Sequence, residues 1–174
     1  MTVAVHVRAA AQRDSAAIAG IFAPYVTDTV ISFRDTPPAA ETWSDRIVAS
    51  AEQGLPFLVA VHEGVVIGFA AVSPWRSHAG YRYTVEHAVY VKPGMTGSGI
   101  GSELMTALLD ACRRTGLRHL IAVIAVGEDV GAASVRFHMR FGFRAVGTLT
   151  GVGHKHGRTL DTVLMQLDLE AQGR

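Results

Sequence analysis

A mixed α/β sandwich with one central βαβ unit is the fold this sequence predicts, and three observations predict it. A β-rich run at residues 83–91, an amphipathic helical pattern and a nearly continuous apolar run at 119–126 follow one another in the order of two parallel strands joined by a helix. Ahead of them, apolar runs at 57–62 and 65–72 are joined by Glu63 and Gly64, an acidic-glycine hairpin turn. Behind them, residues 143–149 and 159–169 alternate as antiparallel strands do.

The elements follow in order. Residues 3–7 alternate and predict a strand. Asp14 is placed to cap a helix running to about residue 25, with Ile18, Ile21 and Phe22 on one face. Pro37 and Pro38 break the chain. A second helix is expected over 39–53, carrying Trp43, Ile47 and Val48, and Gly54 ends it. After the hairpin, 73–80 forms a loop with Trp75, Arg76 and His78. The strand at 83–91 is rich in β-formers. A turn over 92–98 leads into a helix reaching about residue 115, with Ile100, Leu104, Ala107, Leu108 and Ala111 at helical spacing. The run at 119–126 is expected to be buried on both faces. A short helix over 132–141 closes at Gly142, and residues 171–174 form a frayed tail.

Bulk properties narrow the function. The chain has 174 residues, of which 49% are hydrophobic, enough for one domain core. Charged residues make up 18% with a formal net charge of +1, which argues against a protein that works by neutralising many phosphates of a nucleic acid. The mean hydropathy of +0.25 points to a subunit interface. The single Cys112 allows no internal disulfide and suits a reducing, cytoplasmic compartment. The first eight residues lack a signal-peptide pattern, and no run of about 18 apolar residues occurs, so no membrane association is expected.

The connection after residue 91 carries a chemical signal. Gly94, Gly97, Gly99 and Gly101 lie within eight residues between a strand and an amphipathic helix. Glycine lets the chain turn sharply and a ligand approach the amides. The helix start adds unpaired N–H groups and a positive dipole end, together a site for a phosphate or diphosphate. Neither a P-loop nor the G-x-G-x-x-G fingerprint fits, because no Lys-Ser/Thr pair follows the last glycine and the glycine spacing differs.

Read with its neighbours, this turn makes the sequence resemble the GNAT acetyltransferase superfamily, in its phosphinothricin and methionine sulfoximine acetyltransferase branch. The stretch 83–91 and its glycine turn carry the likeness, with Ile31 to Arg34, Pro74 to Arg76, Ser134 to His138 ahead of Phe141 to Phe143, and Gly153 to Gly157 with Asp161. The likeness runs from about residue 7 to residue 169. It implies the GNAT acyl-CoA N-acyltransferase fold of about seven strands and four helices, with strands 83–91 and 119–126 splayed apart. It implies acetyl-CoA as co-substrate, its pantetheine arm in that gap along Val89, Tyr90 and Val91, and its diphosphate on Thr96, Gly97, Ser98, Gly99, Ile100 and Gly101. Ser102 and Ser134 complete the expected cofactor contacts. No metal is expected, and a homodimer is. Two positions depart from the family pattern. Thr96 and Gly97 stand where relatives carry Gln or Arg and then a basic residue, which weakens the cofactor contacts, and Gly131 replaces an Asn after a loop about three residues longer.

The chemistry then assigns roles. An alkylammonium has no free lone pair, so a base must accept its proton. Glu86, among Val85, Ala88 and Val89, is the expected base, its pKa raised by apolar surroundings. A backbone amide near Tyr90 or Val91 is expected to stabilise the tetrahedral intermediate. His138 stands where many GNAT enzymes place a Tyr. It can either donate a proton to the departing thiolate or pack at the helix–sheet boundary. Arg76 and Arg82 are candidates to grip a substrate carboxylate, with Phe33 and Tyr83 against the substrate body. His154 and His156 have no third ligand nearby, so their turn is not expected to hold a metal. The activity implied is acetylation of a small amino-acid-like amine, and the alternative is a GNAT-fold acyl-CoA-binding module with little catalysis.

Overall fold

The computed structural model describes residues 4–170. The α-helices are α1 (Ser15–Thr27), α2 (Ala40–Glu52), α3 (Ile100–Arg114) and α4 (Ala132–Arg140). The strands are β1 (His6–Ala9), β2 (Phe57–His62), β3 (Val65–Pro74), β4 (Thr84–Val91), β5 (His119–Val126), β6 (Arg144–Lys155) and β7 (Arg158–Asp168). The strands are hydrogen-bonded in the order β1-β2-β3-β4-β5-β7-β6. β4 and β5 are parallel, while β1 with β2, β2 with β3, β5 with β7 and β6 with β7 are antiparallel. The predicted βαβ unit is therefore β4, α3 and β5.

The chain divides into two compact units, each made of three segments. The first comprises the chain up to Pro24, Pro37–Ser73 and His87–Gly116. Its core centres on an aromatic cluster of Phe22, Trp43, Phe57, Phe69 and Tyr90, with ring centroids 4.8 to 6.4 Å apart for the contacting pairs. Helix α3 closes it with Ile100, Leu104, Met105, Leu108, Leu109 and Cys112, all buried. The expected face is rotated slightly, since Ala107 and Ala111 are only half-buried and the longer Met105 and Leu109 fill the interior. Burial pushes the Cys112 thiol up to about 12, so it is unreactive at neutral pH.

The second unit comprises Tyr25–Thr36, Pro74–Glu86 and the chain from Leu117 on. Its core is Leu120, Ile124, Phe143, Leu160, Met165 and Leu167. β5 pairs with β7 along its whole length, from His119↔Asp168 to Val126↔Asp161. The expectation that β5 is buried on both faces fails at Val123, which is 41% exposed.

Three further expectations are corrected. Asp14 does not cap α1. It ends a 3-10 turn, Gln12–Asp14, and its carboxylate accepts from Arg8 Nη1 at 2.7 Å, Arg8 Nη2 at 2.8 Å and the Ala11 amide at 2.8 Å. Those bonds, led by the one from Arg8, hold the Asp14 carboxyl below its usual range. β6 runs six residues beyond its expected end at 149. A bulge lets it continue, with Thr150, Gly151 and Val152 lying between the pairs Leu149↔Thr162 and Gly153↔Leu160. Asp161 Oδ1 accepts the Gly151 amide at 2.7 Å and satisfies the interrupted ladder. β1 also lies later than expected, at 6–9, where its ladder with β2 fixes the register, and Val3 falls outside the described residues, as does the predicted tail at 171–174.

Candidate active site

The glycine turn lies in the first unit. Pairing of Lys92 N with Ile67 O at 2.8 Å ends the strand, and Met95 N closes a tight turn onto Lys92 O at 3.0 Å. Gly94, Gly97 and Gly99 take φ values of 83°, 80° and 91°, a left-handed conformation that side-chained residues rarely adopt. Among the described residues, no amide from Thr96 to Gly101 has an acceptor in the chain. The first to find one are Ser102 and Glu103, both on the Gly99 carbonyl, at 2.9 and 3.1 Å. The Ser102 amide is thus committed within the helix. The Ser98 hydroxyl is committed too, to Met95 O. The Ile100 side chain is buried in the core, so Ile100 offers only its main chain. The Tyr90 ring stacks on Phe69 with centroids 5.4 Å apart, so it is a core residue. Unpaired donors at a positive helix end, with open space where a Cβ would stand at Gly97, fit a phosphate or diphosphate.

The second unit holds Glu86, Arg76, Arg82, Tyr83, Phe33, Ser134 and His138 together. Thr84, Val85 and Glu86 pair in parallel with His119, Leu120 and Ile121. Glu86 is half-buried, and burial raises its carboxyl above the ordinary 4.5 while the positive charge of Arg76 pulls it partly back. Trp75 N donates to Thr84 O at 3.1 Å, tying the loop to the strand that carries Glu86. The exposed Arg76 guanidinium lies 4.0 Å from the Trp75 ring centroid and donates to Trp75 O at 3.1 Å. Tyr83 sits between two guanidiniums, with Arg82 4.5 Å and Arg118 4.6 Å from its ring centroid. A bond from Arg82, together with its charge, lowers the Tyr83 phenol.

His138 is buried on α4, and its Nδ1 lies 2.7 Å from Ser134 O. A carbonyl only accepts, so the ring carries its proton on Nδ1 and presents a lone pair at Nε2. Burial lowers the pKa below 6.5, which keeps the ring neutral. In this state the one ring proton is already committed, so His138 would have to charge before giving a proton to a thiolate. The Ser134 hydroxyl also turns towards this ring, at 3.4 Å.

Gly131 caps α4 with φ at 91°, and a Cβ there would overlap the Ala125 carbonyl and lie 2.6 Å from Val126 Cγ1. The glycine in place of an Asn is therefore demanded by this backbone. The loop before it is closed by the Gly127 amide on Val130 O at 3.1 Å and by an ion pair of Arg158 with Asp129.

The family model described as the acetyltransferase (GNAT) family matches residues 21–143 of the chain. The chain belongs to the GNAT acetyltransferase family. This GNAT chain is 38% identical to the phosphinothricin N-acetyltransferase of Alcaligenes faecalis, over 95% of itself and 83% of that protein. It is also 38% identical to the L-methionine sulfoximine/L-methionine sulfone acetyltransferase of Salmonella typhimurium, over 94% of each chain. Among solved structures, an acetyltransferase of Salmonella typhimurium crystallised with its cofactor acetyl-CoA superimposes with a TM-score of 0.90. That protein is 38% identical, and the match covers 95% of this GNAT chain and 94% of the other.

Sequence reasoning missed three parts of this GNAT site's surroundings. Arg118 was not expected on Tyr83, although it sits one residue before the strand that pairs beside it. Trp75 was noted but not as the platform for Arg76, which adjacency alone suggests. Lys155, flanked by two histidines in an expected turn, is in fact buried at 6% exposure, with Nζ donating to Val26 O and Ser32 O, each at 2.5 Å.

Proposed function

We propose that this GNAT acetyltransferase transfers acetyl from acetyl-CoA to the amine of a small, carboxylate-bearing amino acid of the methionine sulfoximine or phosphinothricin type. The observation that carries the proposal is Glu86, a half-buried carboxyl with a raised pKa on β4, the strand that precedes the turn bearing the unpaired amides at 96–101. Acetyl-CoA supplies an acetyl thioester, open to attack by an amine. The main-chain donors of Thr96 to Gly101 hold its diphosphate.

Glu86 takes a proton from the substrate ammonium, directly or through one water, which frees the nitrogen lone pair. The amine nitrogen bonds to the thioester carbon, the C–S bond breaks, and the departing coenzyme thiolate takes up the second proton that the nitrogen sheds as the amide forms. Arg76 and Arg82, exposed and held on aromatic rings, bind the substrate carboxylate. Phe33 and Tyr83 contact its side chain. His138, neutral and fixed by Ser134, accepts a hydrogen bond at Nε2 and orders the space near the leaving sulfur. We further place the enzyme in the cytoplasm, which supplies its co-substrate, and read it as a homodimer. Val123, Val146, Leu149 and Val152, between 41% and 60% exposed on β5 and β6, are the apolar surface a second copy would cover.

A thiol-release assay with acetyl-CoA and a panel of amino-acid analogues tests the reading. Turnover of methionine sulfoximine, methionine sulfone or phosphinothricin is expected. Glu86→Gln should lower kcat by about 10²- to 10⁴-fold with unchanged affinity for acetyl-CoA. No turnover of any amine by the wild-type enzyme would overturn it.

A further inference from the structure

The end of β6 does something the proposed chemistry leaves unused. Gly153 and Lys155 are two residues apart on one strand, so both point to the same face, and both are buried, while His154 between them is exposed. That face meets the loop after α1. A Cβ at Gly153 would clash with the Phe33 ring, 2.8 Å from Cε1 and nearer still to Cζ. The ring therefore lies on bare backbone, and only glycine leaves it room. Two residues along, Lys155 Nζ donates to the carbonyl of Ser32, the residue before Phe33, and to that of Val26 in the last turn of α1. A helix C-terminus offers unpaired carbonyls and a negative dipole end, so an ammonium is well matched to it. The Asp35 carboxylate adds a second favourable charge.

The loop has its own ties. Thr29 Oγ1 donates to Tyr25 O at 2.6 Å and accepts the Ile31 amide at 3.1 Å. These fix its start, the Ser32 hydroxyl accepts the Arg34 amide at 3.4 Å across Phe33, and β6 supplies the surface beneath the ring. The Phe33 ring is 41% exposed although one side is seated on Gly153. An aromatic ring anchored on one side and open on the other is a flat apolar surface presented to a ligand.

We propose that Gly153 and Lys155 are positioning residues that seat Phe33 against the substrate's side chain, so that the end of β6 sets which amino-acid side chains the enzyme accepts. The inference rests on the proposed function, in which Phe33 contacts the substrate. Lys155 acts through the loop backbone and Gly153 by making room for the ring, and neither touches the reacting atoms. Because the seat holds one aromatic face, its effect falls on the apolar body of the substrate rather than on its carboxylate or amine. Side chains long enough to reach the ring gain from it, and alanine, with nothing to lay on it, gains nothing.

The test is a double-mutant cycle read as kcat/KM over a panel running from alanine to methionine sulfone, with affinity for acetyl-CoA measured alongside. Gly153→Ala is expected to lower kcat/KM for methionine sulfone about 10- to 100-fold, through KM, with little change for alanine and none in acetyl-CoA affinity. Lys155→Met should show the same selectivity profile. In the Phe33→Ala background, where a Cβ at Gly153 meets no ring, Gly153→Ala should have no further effect on selectivity. This background also spares the protein the clash, so the cycle can be read even if Gly153→Ala alone folds poorly. Equal losses for every substrate, or additive losses in the Phe33→Ala background, would overturn the inference while leaving the proposed function intact. Failure of the wild-type enzyme to turn over any of these amines would overturn both.

Discussion

Glu86 is acted on in opposite directions, burial raising its carboxyl and the Arg76 charge lowering it. As the proposed base it must be unprotonated, so activity is expected to be lost as the pH falls through its folded-state pKa. The acid limb of kcat/KM is therefore expected above the ordinary carboxylate value of 4.5. Arg76→Gln removes the lowering influence and should move that limb to still higher pH, and it should also raise KM for carboxylate-bearing substrates. A pH–rate profile of the two enzymes checks both effects, and a limb that does not move would detach Arg76 from Glu86. Glu86, Arg76 and the glycine turn were legible because each sits in a local pattern of neighbours. Lys155 was not, because it is buried by carbonyls 129 and 123 residues away in the chain, and a lysine between two histidines in a glycine-flanked stretch has the local signature of an exposed turn.

At the scale of elements, every predicted helix and strand exists, because hydrophobic period and glycine punctuation are local signals. The errors are at ends and faces, where partners decide. β6 outran its expected end because the Asp161 side chain repairs the ladder across a bulge, a long-range event with no periodic trace. α1 passes Pro24 and ends at Thr27, two residues beyond the expected 25. The α4 N-terminus shows the reverse case, a sequence oddity that the structure explains. Restoring the family's residue there by Gly131→Asn forces a side chain into the Ala125 carbonyl at a left-handed φ. It is expected to destabilise the protein by about 1–3 kcal/mol rather than to tighten acetyl-CoA binding, as chemical denaturation and a cofactor titration would show.

On the scale of the whole molecule, the two compact units are interleaved in sequence, and the chain passes between them at residues 24/25, 36/37, 73/74, 86/87 and 116/117. Neither unit is one contiguous stretch of chain, so a single cooperative unfolding transition is expected. The sequence supplies the probes, since Trp43 lies in one unit and Trp75 in the other. Denaturation midpoints of Trp43→Phe and Trp75→Phe variants, each corrected for its own stability by circular dichroism, should coincide between fluorescence and circular dichroism, and separate midpoints would show the units melting independently. His138 adds a pH dependence. Its folded-state pKa lies below 6.5, so the unfolded chain binds more protons in the window beneath that value. Its contribution is complete above 6.5 and is lost as the pH falls towards the folded pKa, a loss that His138→Gln should abolish.

The passage at 86/87 falls inside β4, directly after the carboxylate proposed as the base. Deleting one residue between His87 and Val91 would shorten the strand by about 3.3 Å and invert the alternation of its side chains. An enzyme so altered would still carry every side chain of its neighbours, yet each residue of β4 beyond the deletion would turn to the opposite face of the sheet.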